Sequence, residues 1–386
     1  MQSKRSINKG ICMSRRFPEA VSRLLLCFVV VSLFLNVNSV SGAEDRSAVP
    51  LKVGFVYSGS ASDGGWNNSH AFGRRYLESA MKGSVVTSCA ENVPENSDCE
   101  RVMEKMIAQG NKVIFATSYG YLEPVLRVAR RHPDVRFVQC IRLVPPEYKN
   151  VGSYFSSDCY TSLYAAGIVA GKMTKTNRLG YIGGHPIPSI LWAINAFALG
   201  ARSVNPKATV HVVWINSWDD PALEAEASRS LIEHGCDVLA STLNSSITIA
   251  RAAQKAGVYS VGTNFDLHAL VPNGWLTGQS WNWGPLYVKI IRSIQNGSWK
   301  PDNLRYGAQD GYSVLAPFGK SVPKTLQAEA LQAMVQLQQH KMEIFSPPVK
   351  DRDGRIRLAA GQVADQAWLE RMDWFVPGVE GTLPKK

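Results

Sequence analysis

Met106-Ile107-Ala108-Gln109-Gly110-Asn111-Lys112-Val113-Ile114 lies on Leu231-Ile232-Glu233-His234-Gly235-Cys236-Asp237-Val238-Leu239 without a gap, at a constant offset of 125 residues. Each stretch reads as the end of an amphipathic helix, a glycine stop and the start of an apolar strand. Each continues through a polar turn into another helix (Val125–Arg131; Ile247–Lys255) and another strand. The repetition predicts two similar α/β domains in tandem, each a doubly wound parallel sheet.

Outward from this repeat, Lys52–Tyr57, Val113–Thr117, Arg136–Cys140, Leu179–Gly183, Thr209–Ile215, Asp237–Ser241 and Val258–Gly262 read as near-continuous apolar strands separated by helices. That pattern belongs to parallel sheets covered on both faces. Ser97-Asp98-Cys99-Glu100 reads as a capping box, and Asp220-Pro221 as a cap residue followed by a first-turn proline. The chain has 386 residues, 45% of them hydrophobic and 19% charged, enough for two domains with a core each. No low-complexity tract points to disorder or collagen.

A formal net charge of +11 raises the prospect of a nucleic-acid partner. Much of that charge sits in residues 1–43, where Lys4, Arg5, Lys9, Arg15, Arg16 and Arg23 precede the apolar run Leu24–Leu35 and the small-residue end Ser41-Gly42-Ala43. This is the layout of a secretory signal peptide cut after Ala43, with Met13 an alternative start. The run is too short for a membrane span, and without the leader the charge no longer implies nucleic acid. Export to an oxidising compartment makes Cys89–Cys99 and Cys140–Cys159 candidate disulfides, with buried thiols the alternative.

In doubly wound sheets the loops after the strands carry the chemistry. Ser58–Trp66 is glycine-rich, but it has no G-x-G-x-x-G or GK[ST] and it carries Asp63 where a phosphate would sit. The seven histidines show no metal-binding spacing and no nucleophile elbow occurs, so neither a metal, a cofactor nor a catalytic residue is expected. His70 stands out for its place just inside the helix after the first loop. The loops share aromatic rings beside amides and carboxylates: Trp66, Tyr119, Trp218, Trp281 and Trp283 with Asp63, Asn244, Asn264, Asp266 and Asn282. Rings for the faces and polar groups for the edge suit a planar heterocycle.

Several separated motifs carry a further likeness. Lys52-Val53-Gly54-Phe55-Val56-Tyr57 with Asp63-Gly64-Gly65-Trp66, Ile114–Tyr121, Leu163–Gly171, Ile194–Gly200, Trp281-Asn282-Trp283-Gly284-Pro285 and Met372-Asp373-Trp374-Phe375-Val376 occur in order from about Leu51 to the C-terminus. Together they resemble the basic membrane protein family of substrate-binding proteins for ABC transporters. The resemblance implies a type I periplasmic-binding-protein fold, two doubly wound parallel-sheet lobes joined by a hinge. Lobe 1 would comprise 52–158 plus 282–303, and lobe 2 159–281 plus 304–386 with a C-terminal extension, the crossings lying near Cys159, Trp281 and Leu304.

It further implies a periplasmic, monomeric protein that captures a purine base or purine nucleoside and delivers it to permease subunits, catalysing nothing. The candidate ligand-binding set is Asp63, Trp66, His70, Tyr119, Trp218, Asn244, Asn264, Asp266, Asn282 and Trp283. Ala71, Asp219, Asn244 and Ser189–Trp192 depart from the family pattern, which leaves the choice of purine open. A ligand sensor that docks on a receptor is the alternative role. A nucleoside-processing enzyme would need a general base or metal cluster that the sequence does not display.

Overall fold

A computed structural model describes residues 49–156 and 159–383; the expected leader and its cleavage point lie outside the described residues. The first half runs β1 (Leu51–Val56), α1 (Trp66–Ala80), β2 (Val85–Ala90), α2 (Ser97–Ala108), β3 (Val113–Ala116), α3 (Leu122–Arg131), β4 (Arg136–Cys140) and β5 (Val151–Ser156). The second half runs α4 (Cys159–Met173), β6 (Arg178–Gly183), α5 (Pro188–Val204), β7 (Thr209–Trp214), α6 (Pro221–Glu233), β8 (Val238–Thr242), α7 (Ile247–Lys255), β9 (Tyr259–Gly262) and β10 (Trp275–Trp281). The chain then adds α8 (Trp283–Gln295) and β11 (Asn303–Tyr306) to the first half and β12 (Ser313–Leu315) to the second.

Strand order shows the duplication. The first sheet is ordered β2-β1-β3-β4-β5-β11 and the second β7-β6-β8-β9-β10-β12, so corresponding strands occupy corresponding places. Every neighbouring pair in these runs is parallel except β10 with β12. The aligned stretches agree in detail: Met106 and Leu231 are buried, Gly110 and Gly235 end their helices with φ of 91° and 82°, and Val113 and Val238 have no exposed surface. Apolar clusters on both faces of each sheet supply the cores.

Beyond β12 the chain forms α9 (Lys324–Gln338), the ribbon β13 (Val349–Lys350) and β14 (Ile356–Leu358), α10 (Gln366–Leu369) and β15 (Val379–Glu380), which pairs with β7. Its apolar side chains, among them Phe345, Trp374 and Phe375, join the core of the second half.

Three expectations need correction. The third passage between the halves follows Tyr306 and not Leu304, because Asn303–Tyr306 pairs in parallel with β5, and Asn303 Oδ1 accepts from Ser153 Oγ at 2.6 Å. The cap of α2 is Asn96, whose Oδ1 accepts from the Asp98 N–H at 2.8 Å; Glu100 instead accepts from Arg127 Nε at 2.8 Å. Neither candidate disulfide forms, and the alternative of buried thiols holds for Cys99 and Cys140 in the first-half core, while Cys89 is exposed on β2. Among the described residues no helix is long and apolar enough to cross a membrane.

Candidate functional site

Parallel strands deliver their carboxyl ends to one side of each sheet, and the two halves meet there. The loop after β1 touches the loop after β8: the Trp66 N–H donates to the Asn244 carbonyl at 2.7 Å, and Gly65 makes an isolated antiparallel bridge with Ser245. Phe72 and Phe265 close the same seam edge to face, with centroids 5.1 Å apart.

Behind this seam lies an aromatic cluster. Trp281, at the end of β10, stacks on Trp283, at the start of α8, with centroids 4.8 Å apart and 18° between planes. Trp66 stands edge-on to both, at 6.2 and 6.0 Å. His70, one turn into α1, stacks on Trp283 at 5.1 Å and meets Trp66 edge-on at 4.6 Å. Each indole N–H has a fixed partner: Trp66 donates to the Thr117 carbonyl (2.8 Å), Trp283 to Ser69 Oγ (3.1 Å) and Trp281 to Asn264 Oδ1 (2.7 Å). Rings held in this way are pre-oriented, so a ligand that packs on them orders little side-chain freedom.

His70 has no exposed surface, and burial lowers its imidazole pKa to about 3, so the ring is neutral. Its Nδ1 lies 2.5 Å from the Tyr287 hydroxyl, which lies 3.0 Å from that of Tyr154. Burial raises the pKa of both phenols well above the usual value, so this polar thread stays protonated. The His70 Nε2 has no protein partner.

The other candidates divide by what already holds them. Asp63 is a helix cap: Oδ1 accepts from the Gly65 and Asn68 N–H groups at 2.8 and 2.9 Å, and Oδ2 from the Asn67 N–H and Nδ2 at 3.1 and 2.9 Å. Its charge lies where the α1 dipole favours an anion. Asp266 Oδ1 accepts from the His268 N–H at 3.0 Å, and its Oδ2 lies 2.7 Å from His268 Nδ1. Asn282 donates from Nδ2 to the Gly311 carbonyl at 3.2 Å, at the passage between halves. Tyr119 is exposed beneath the Arg142 guanidinium, and Trp218 is 37% exposed with His185 edge-on at 4.9 Å. Trp218 joins the seam through its backbone, its carbonyl accepting from the Asn244 N–H at 2.9 Å. Asp219 beside it has a raised pKa, through burial and then through Asp63 across the seam.

The candidates thus separate into a connected cluster (Trp66, His70, Trp283, with Asn264 and the Asn244 backbone) and a set around it. Trp281 and Tyr287 belong to the cluster although the candidate set omits them. Tyr287 follows Trp283 by one helical turn, a spacing that would have revealed it.

Residues 51–351 match the family model described as ABC transporter substrate-binding protein, PnrA-like. A purine-binding protein of Brucella abortus is 36% identical over 89% of this chain and 97% of its own length. A putative ABC transporter glucose-binding protein of Haloferax volcanii is 32% identical over 90% of this chain and 85% of its own. Among solved structures, an ABC transporter solute-binding protein from Conexibacter woesei superposes with a TM-score of 0.66 at 22% identity, covering 76% of this chain and 98% of that one, a likeness of fold. Two duplicated doubly wound halves meeting at an aromatic seam, and a family match over most of the described chain, lead to one conclusion: the chain belongs to the Bmp family of PnrA-like ABC transporter substrate-binding proteins.

Proposed function

We propose that the protein is exported, captures a purine base or purine nucleoside between its two halves as a monomer, and passes it to a membrane permease without chemical change. The observation that carries this reading is the seam cluster, in which the half-buried rings of Trp66 and Trp281 stand beside amides on a buried base of Trp283 and neutral His70. The similarity to the Brucella purine-binding protein supports it. In this reading Trp66, Trp281 and Trp218 supply faces, with Trp283 buried between Trp281 and His70 as their backing; the Asn244 and Asn282 amides and Tyr119 meet polar edges, and Asp266 accepts from a ring or ribose donor by giving up His268. Asp63 keeps the first loop in place.

A sugar is the second reading, favoured by the Haloferax relative, since an indole also stacks on a pyranose face. Native mass spectrometry of protein purified gently from its own cells tests both. The expected adduct has the mass of a purine or purine nucleoside; a hexose in its place overturns the purine assignment.

A further inference from the structure

The Asn244 carbonyl receives two donors, one from each half. One is the Trp66 N–H of the first half, at 2.7 Å; the other is Asn264 Nδ2 of its own half, at 3.2 Å, which also donates to the Leu243 carbonyl at 2.8 Å. The remaining polar atom of that side chain, Oδ1, accepts the Trp281 indole N–H at 2.7 Å. Trp66 has its own indole fixed to the Thr117 carbonyl at 2.8 Å. Hydrogen bonds therefore link the loop after β3, through Trp66 and the seam, to the Trp281 ring. Asn264 is held for this task in the left-handed backbone region, at φ 69°, which asparagine tolerates better than most residues.

The seam permits no side chain at its closest point. A β-carbon on Gly65 would lie 1.9 Å from the Asn244 carbonyl oxygen and 2.6 Å from the Ser245 Cα, both backbone atoms with little room to yield. The Gly65 contact, from the first half, and the Asn264 side chain, from the second, thus meet at the same carbonyl.

We propose that Asn264 is a positioning residue, which ties the carbonyl that clasps the two halves together to the indole of Trp281, so that closing the halves and setting that aromatic face are one event. The proposal rests on the reading that ligand binds between the halves. Its test needs no ligand, so an error in the ligand's identity leaves the result standing.

Two substitutions separate the two ends of the side chain. Asn264→Gly keeps the left-handed backbone, and with it the backbone N–H donated to Gln279 Oε1, and loses every side-chain hydrogen bond. Asn264→Asp keeps an acceptor for Trp281 but loses the donor to the Asn244 carbonyl. Exchange of the Trp281 indole proton, followed by NMR on tryptophan-labelled protein and assigned with Trp281→Phe, reads the ring end. Small-angle X-ray scattering reads the separation of the halves, with Gly65→Ala as an independent way to force the seam apart.

In Asn264→Gly the indole proton should exchange on the order of tenfold faster than in the parent, as fits the loss of one half-buried hydrogen bond. In Asn264→Asp it should stay protected. Both variants and Gly65→Ala should give a larger radius of gyration than the parent. Unchanged indole exchange in Asn264→Gly overturns the ring end of the proposal; a parent-like radius for Asn264→Asp overturns the clasp end. Should Gly65→Ala fail to fold, as a melting scan would reveal, the Asn264 pair decides alone. A parallel titration with adenosine addresses the ligand assignment separately: no binding by the parent counts against the purine reading and leaves these outcomes as they stand.

Discussion

At position 70 a histidine has no exposed surface and faces two indoles and a phenol, with no carboxylate among its contacts. Its folded-state pKa of about 3 lies below the ordinary 6.5 of an unfolded chain. Between those values the unfolded chain binds a proton that the folded chain does not, so this residue weakens folding as pH falls below about 6.5, by at most about 1.4 kcal/mol per pH unit. His70→Gln can still bond Tyr287 but carries no titrating ring. Its stability, from urea titrations between about pH 6.5 and 4.5, should fall less steeply with pH than the parent's; equal slopes would mean the parent imidazole is charged in the folded state. The thiols give a second residue-scale prediction. Burial pushes the Cys99 pKa up to about 12 and that of Cys236 to about 11, and raises Cys140 as well, so a thiol reagent should label exposed Cys89 in the native protein and these three only after unfolding. Mass mapping of labelled peptides checks it, and prompt native labelling of Cys99 or Cys140 would contradict their placement in the core.

Elements show what the family motifs do. Leu163–Gly171 and Ile194–Gly200 fall on α4 and α5, which pack backbone against backbone: a β-carbon on Gly167 would lie 2.2 Å from the Phe197 carbonyl oxygen, and one on Gly200 2.0 Å from that of Tyr164. Gly200→Ala should therefore cost roughly 1–3 kcal/mol of stability by forcing the helices apart, and leave ligand affinity as it is in the folded fraction. Denaturant titration and calorimetry on the same sample decide; an intact stability would show that the helix pair has slack. Asn195 on α5 joins two motifs distant in sequence. Its Nδ2 donates to the Trp374 carbonyl at 3.0 Å and its Oδ1 accepts from the Val376 N–H at 3.0 Å, all without exposed surface on Asn195. Asn195→Ala leaves both backbone groups buried and unpaired, so a loss of about 1–3 kcal/mol or more is expected, with the C-terminal segment the first to gain hydrogen exchange.

Over the whole molecule, the strands were the most legible part of the sequence. Of the seven strands read from the sequence, Arg136–Cys140 agrees at both ends and the others to within a residue, because an apolar run between turn residues has few other uses in a covered parallel sheet; β2, β5, β10, β11 and β12, with more polar residues among them, were not read. The duplication was legible for the same reason, since Gly110 and Gly235 stop corresponding helices before corresponding strands. Side-chain roles were less so. Asp63 reads equally as a ligand acceptor or a helix cap from its type and place, and only the four donors around it distinguish the two. The seam depends on a backbone carbonyl, that of Asn244, and on the missing Cβ of Gly65, neither of which has a side-chain signature. On the purine reading the ligand lies between two halves that close like a hinge, which requires it to favour the closed arrangement. Isothermal titration calorimetry of the mature protein with adenine, adenosine, guanosine and glucose, each followed by small-angle scattering of the saturated sample, decides between a purine and a sugar. At least one purine is expected to bind with one molecule per chain, to leave the particle at least as compact as the unliganded parent, and to lose affinity on the order of tenfold or more in Trp66→Ala. Saturable binding of glucose with no heat from any purine would contradict the purine reading.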